Sequence, residues 1–155
     1  SLGRQVRLLL LGSGELQSPM EQAAHKMQDD VDVVFAGFVK QAELPDYLAK
    51  AKLMLFPTSI DTWGVVANEA CAAGVPVMVT PMAGVANELV VNGETGFVCE
   101  LNLARWVDQA CEVLKDEALR SRLAAAAIER VKAYSFDHAA SGILAAVKHA
   151  QEQAA

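Results

Sequence analysis

Over residues 6–98, short runs of unbroken apolar sequence alternate with longer segments of helical period, a pattern that few architectures can bury. The runs fall at Val6–Leu11 and at residues 31–35, 53–56, 75–79 and 96–98. Each is rich in branched or aromatic side chains and bounded by Gly, Pro, Asp or Thr, which marks a strand. A strand with one wet face would alternate apolar with polar. Unbroken apolarity asks for cover on both faces, the condition of a parallel sheet lying between helices. Helical period at residues 19–29, 41–50, 64–73 and 83–91 supplies that cover. Strand and helix in turn predict an α/β fold, a Rossmann-like, doubly wound parallel sheet with right-handed crossovers.

After Val98 the strand signals stop. Residues 103–115, 117–134 and 136–151 place Leu, Ile, Val and Ala at spacings of three and four with charges between them, so an all-helical tail is expected over about residues 103–152. Ser135 is the expected cap of the last helix, with Asp137 in its first turn, where a carboxylate is favoured. No linker divides the sequence, and 155 residues with 53% hydrophobic content suffice for one core, so residues 1–155 read as one domain.

Several classes of function are disfavoured by composition. No stretch reaches the roughly 18 consecutive apolar residues of a membrane span, and the run VRLLLLG lacks the cleavage site of a signal peptide. Cys71, Cys99 and Cys111 lie far apart in apolar segments, which suits neither a disulfide framework nor zinc and fits a reducing cytosol. A net charge of −6 without a basic, aromatic-studded patch argues against nucleic acid. Asp29, Asp30 and Asp32 read as a polar turn before a strand rather than a calcium site, and His25, His138 and His149 as scattered surface residues. No metal is expected.

In open α/β sheets ligands bind at the carboxyl ends of the strands. The first such loop holds Gly12 and Gly14, which suit either a tight turn or close approach of a phosphate; Gln17 breaks the dinucleotide fingerprint, so nicotinamide is not supported. The second, from Gly37 to Lys40, carries Phe38, which reads equally as core or as a ligand contact. The third is the most informative, with Asp61 and Glu69 separated by seven residues across a strand end and helix start. Asp61 is placed to cap free amides or to face a ligand. Glu69 lies in VVANEACAAGVPV, apolar enough to predict a largely buried helix, and a buried carboxylate needs donors. Ligand hydroxyls are one source. Trp63 and Trp106 are open to both core and ligand roles.

The stretch FPTSIDTWGVVANEACAAGVPVMVT, residues 56–80, resembles the donor-site signature of the retaining glycosyltransferases called glycosyl transferases group 1. A proline and small residues end a strand, an acid precedes a small residue, an aromatic and glycine, and a second acid follows with the same spacing. Elsewhere LLLLGSGE resembles that family's strand and turn near the donor diphosphate, VVFAGFV its strand beside the base, NGETGFV the turn before its last short strand, and AYSFDHAA the opening of its final helix. Together these matches cover nearly the whole chain.

The resemblance implies one half of a GT-B fold, the nucleotide-sugar-binding domain, acting in transfer of a hexose-type sugar with retention from a UDP- or GDP-linked donor to a glycan, lipid or small-molecule acceptor. It implies catalytic roles for Asp61 beside the transferred sugar and for Glu69 at the ribose hydroxyls. Amides around Gly64, Val65 and Val66 would face sugar and phosphate oxygens, Gly12 and Gly14 would border the diphosphate, and Val39 and Leu44 would flank the base. Two departures stand out. Asp61 is one methylene shorter than the family's usual glutamate, and the arginine and lysine that neutralise the diphosphate precede the family's equivalent of the first strand; Arg4 and Arg7 are poor substitutes. The resemblance therefore implies a donor-binding fragment, little active alone, whose acceptor is held by an N-terminal domain. It further implies a cytoplasmic location, with peripheral seating at the inner membrane face through that domain, and a last helix whose apolar face covers another domain or supports a dimer. Two other classes stand beside it: a non-catalytic nucleotide or sugar-nucleotide binding module, and a receiver-like α/β interaction module, which would want acids where Gly-Ser-Gly-Glu follows the first strand.

Overall fold

The computed structural model describes residues 5–27, 29 and 31–153. Arg4 and Asp30, weighed above as a cation and as part of an acidic turn, lie outside the described residues. Two compact units divide the chain, Ser1–Lys50 and Ala51–Ala155.

The first unit opens with a strand, helix, strand crossover: β1 (Val6–Leu11), α1 (Gln17–Lys26) and β2 (Val31–Gly37), followed by the short α2 (Leu44–Leu48). β1 and β2 pair in parallel, Val6 opposite Val31 and Arg7 opposite Asp32. That register explains Arg7, whose Nε donates to Asp32 Oδ2 at 2.6 Å across an exposed face. Unbroken apolarity leads one to expect cover on both faces here. Instead β1 alternates half-buried with exposed residues, Leu9 and Leu11 among the exposed, and α1 contributes no fully buried side chain. Among the described residues α1 is the one long helix of this unit, and one helix covers one face of a strand pair.

The second unit holds β3 (Met54–Phe56), α3 (Val65–Ala72), β4 (Val77–Val79) and β5 (Gly96–Val98), paired in parallel in the order β3-β4-β5. Its central strand β4 is fully buried. Met78 from that strand joins Phe97, Trp106, Val113 and Leu123 in a core completed by the tail helices α4 (Leu103–Lys115) and α5 (Glu117–Val131). Burial of a side chain the size of Met78 stabilises by about 1.5–3 kcal/mol. Trp106 thus proves to be core, its Nε1 donating to the Glu100 carbonyl at 2.9 Å. Asn102 and Asp116 cap α4 and α5 through side-chain oxygens on the amides of Arg105 and Leu119. A 3-10 turn, Lys132–Tyr134, leads to α6 (Phe136–Gln153). Ser135 caps α6 as expected, its Oγ accepting from the His138 amide at 3.2 Å.

The helix expected over residues 83–91 is absent. Those residues form successive turns: Gly84 N–H donates to the Asp61 carbonyl and Val85 N–H to the Trp63 carbonyl, while the amides of Ala86, Glu88, Leu89 and Val90 close on the nearby carbonyls of Ala83 and Val85. Asn87, at φ +64°, takes a left-handed backbone that a helix would not admit. Thr95 secures the far end of these turns, accepting from Val91 N–H and donating to the Leu89 carbonyl while fully buried.

Cys71 lies on the buried face of α3, and burial pushes its thiol up to about 12. An unfolded thiol ionises near pH 8.5. Because the folded value is the raised one, the contribution of Cys71 to stability is complete below the unfolded value and is lost as pH climbs towards the folded one. Between about pH 9 and about pH 11, urea melts should lose stability by about 1.4 kcal/mol per pH unit more steeply than in Cys71→Ala. Parallel pH profiles for the two proteins would rule out this linkage.

Candidate functional site

The loop from β3 to α3 is built on its neighbours. Thr80, buried at the end of β4, donates from Oγ1 to the Thr58 carbonyl at 2.6 Å, and Thr58 Oγ1 donates to the Ile60 carbonyl at 2.9 Å. Beyond Ile60 the loop zips to residues 82–85: Asp61 N–H donates to the Met82 carbonyl, Gly84 N–H to Asp61 and Val85 N–H to Trp63, at 3.2, 2.9 and 2.7 Å. Such close backbone approach needs glycine. A Cβ on Gly84 would stand 2.1 Å from the Thr62 carbonyl oxygen.

Gly64 follows, at φ +96°, as the residue preceding α3. A side chain there would press on Phe56 and Val85 at 3.1 and 3.3 Å, so both the backbone turn and the packing call for glycine. No side chain caps this helix. The Gly64 carbonyl accepts from Ala67 and Asn68 amides, whereas the amides of Gly64, Val65 and Val66 find no acceptor among the described residues. Val65 is 63% exposed, which keeps this helix start open. Free amides at a helix N-terminus, reinforced by the helix dipole, make a place for anionic oxygens.

Two carboxylates flank that place in sequence. Asp61 is half-buried and caps the loop rather than the helix: its Oδ1 accepts from the Trp63 amide at 2.9 Å, and Oδ2 has no partner among the described residues. Glu69 is half-buried, not enclosed as its apolar neighbourhood led one to expect. The reason is that α3 buries only the face carrying Ala67, Ala70 and Cys71, leaving Val65 to solvent. Asn68, next to Glu69, keeps a buried Oδ1 without a hydrogen-bond partner among the described residues. The Trp63 ring leans on Tyr134, centroids 5.2 Å apart and planes tilted by 37°.

Asp61, Gly64, Val65, Val66 and Glu69 therefore share one loop and helix of the second unit. Gly12, Gly14, Val39 and Leu44 belong to the first. Gly12, at φ +111°, donates its N–H to the Gly37 carbonyl at 2.7 Å, which ties the loop after β1 to the end of β2. Gly14 is exposed, and a Cβ on it would meet nothing within 4 Å, so internal packing does not require glycine there. Val39 is half-buried just after β2, and Leu44, also half-buried, opens α2. Phe38 is 83% exposed, which removes the core reading. Gly84, Val85 and Tyr134 were not among the expected site residues, although Gly84 and Val85 shape the loop and Tyr134 packs against it. They lie far along the chain from Asp61, and no spacing rule links them to it.

Residues 1–130 match the family described as glycosyl transferases group 1. The chain is 35% identical over 126 residues to N-acetyl-alpha-D-glucosaminyl L-malate synthase of Bacillus anthracis, covering 81% of this chain and 32% of that protein. Sucrose-phosphate synthase from Thermosynechococcus elongatus superposes with a TM-score of 0.78 at 24% identity, over 96% of this chain and 39% of the other. Anabaena Alr3699/HepE, solved in complex with UDP-glucose, superposes with a TM-score of 0.72 at 22% identity, over 92% and 40% of the two chains. At such identities the superpositions speak for the fold. The chain spans between about a quarter and a third of the length of these relatives.

Proposed function

Because this chain belongs to the glycosyl transferases group 1 family, we propose that it is a single nucleotide-sugar-binding domain, the donor half of a retaining hexosyltransferase. The observation that carries the reading is the start of α3, where three backbone amides without an acceptor among the described residues lie between two half-buried carboxylates in the sequence. Amides can receive phosphate or sugar oxygens; carboxylates can receive hydroxyl protons. In this reading Glu69 accepts from the ribose, Asp61 faces the transferred sugar, Gly12 and Gly14 border the diphosphate, and Val39 and Leu44 flank the base. Catalysis in such a site consists of positioning and of stabilising charge on the departing diphosphate.

The acceptor belongs, in this proposal, to a domain N-terminal to these residues, and the domain studied alone transfers little sugar. Support comes from the span of the match, between about a quarter and a third of each relative. A second support is α6, which buries no side chain and exposes Phe136, Ile143, Leu144 and Val147. That apolar face would seat the preceding domain or, failing that, a second copy of the chain. No helix among the described residues is long and apolar enough to cross a membrane. A cytoplasmic location, with the preceding domain resting on the inner membrane face, completes the proposal.

Calorimetric titration with UDP, GDP, ADP and their common sugar conjugates tests the reading. Base-selective binding, with UDP or GDP preferred, is the expected outcome. Equal heats for all three nucleotides, or none at millimolar ligand, would remove it.

A further inference from the structure

Between Asp61 and Gly64 the backbone is held from outside the turn, by the bonds of Gly84 to Asp61 and of Val85 to Trp63. Thr62 is exposed, and Gly64 carries a left-handed φ that imposes no side-chain packing. Trp63 is the residue of this turn whose side chain meets an aromatic partner, the Tyr134 ring. Tyr134 is itself anchored. It ends the 3-10 turn after α5, and its hydroxyl reaches Glu88 Oε2 at 3.5 Å, while the Glu88 carbonyl accepts from Arg130 Nε at 2.5 Å. Glu88 lies just beyond the residues that zip to Asp61 and Trp63. The turn is thus gripped on its backbone by residues 82–85 and on its ring by Tyr134.

From this we infer that Tyr134 is a positioning residue of the donor site, holding the Trp63 ring and thereby the Asp61 carboxylate. The link is the 2.9 Å bond from the Trp63 amide to Asp61 Oδ1. Rotation of the ring alone leaves the Trp63 amide in place; what the ring packing resists is a shift of the whole turn, which would draw the Trp63 N–H from Asp61 Oδ1 and free the carboxylate. Oδ2, without a partner among the described residues, is the oxygen left for a sugar hydroxyl. The inference rests on the donor-site reading above and adds a residue to it from outside the motif.

The role predicts a split that general packing would not produce. Asp61 faces the sugar and not the nucleotide, so losing its orientation should weaken a nucleotide-sugar and spare the bare nucleotide. The 155-residue chain, as wild type, Tyr134→Leu and Tyr134→Phe, is titrated with UDP and UDP-glucose, GDP and GDP-mannose, and ADP and ADP-glucose, with thermal melts in parallel. Tyr134→Leu should bind the preferred sugar conjugate about tenfold more weakly, the loss of one charge-assisted hydrogen bond, and bind the bare nucleotide within about twofold of wild type. Tyr134→Phe, which keeps the ring, should restore the conjugate. Equal weakening of both ligands, or no weakening of either, overturns the inference while leaving the donor site standing. A wild-type chain that binds none of the six ligands overturns the donor-site reading and this inference with it. Should Tyr134→Leu not melt cooperatively, Trp63→Leu removes the other ring of the pair and reads the same split.

Discussion

Gly84→Ala should destabilise the chain by about 3 kcal/mol or more, a fall of about 6–12 °C in melting temperature for a chain of this size. The added Cβ would lie 2.1 Å from the Thr62 carbonyl oxygen, 2.7 Å from its carbon and 2.8 Å from the Trp63 Cα, all backbone atoms that cannot turn aside as a side chain would. Relief requires residues 82–85 to part from residues 61–63, which breaks the hydrogen bonds from Gly84 to Asp61 and from Val85 to Trp63. Gly93→Ala is the control. Its φ is positive, +74°, which that of Gly84 is not, but nothing lies within 4 Å of its Cβ, so only backbone strain of about 1 kcal/mol is expected. Far-UV circular dichroism melts separate the two. If Gly84→Ala melts within a degree or two of Gly93→Ala, the two segments are not joined as described.

The same contact shows where a reading of the sequence stops. Strand positions were legible because unbroken apolar runs bounded by breakers are hard to bury otherwise, and β4, enclosed on all sides, is the clearest case. Helix was wrongly expected over residues 83–91, where apolar spacing suited it but the left-handed Asn87 breaks the run into turns while Gly84 and Val85 are tied to Asp61 and Trp63. Apolar neighbours likewise overstated the burial of Glu69, since hydrophobic residues on a short helix do not reveal which of its faces is covered. The two acids and the glycine between them were legible as a motif because their roles depend on local spacing around one helix start. Tyr134 was not, since its partner Trp63 stands far off in sequence and only folding brings the two rings together.

Glu69→Ala should abolish nucleotide binding while barely changing stability. Under the proposed function its two carboxylate oxygens accept from ribose hydroxyls, and hydrogen bonds to a charged acceptor are worth about 1.5–3 kcal/mol each. Losing two corresponds to at least about 3 kcal/mol, a weakening on the order of a hundredfold or more. Folding depends on this side chain much less, because Glu69 is half-buried and the packing of α3 rests on Ala67, Ala70 and Cys71. A stability change within about 1 kcal/mol is therefore expected, small beside the loss of affinity. Glu69→Gln refines the test: it keeps an acceptor oxygen but not the charge, so its affinity should fall between wild type and Glu69→Ala. Calorimetric titration with the preferred nucleotide, paired with urea melts, measures both quantities. A Glu69→Ala chain that binds within about threefold of wild type would remove the ribose role, and one that loses binding and stability together would make Glu69 a structural residue of α3.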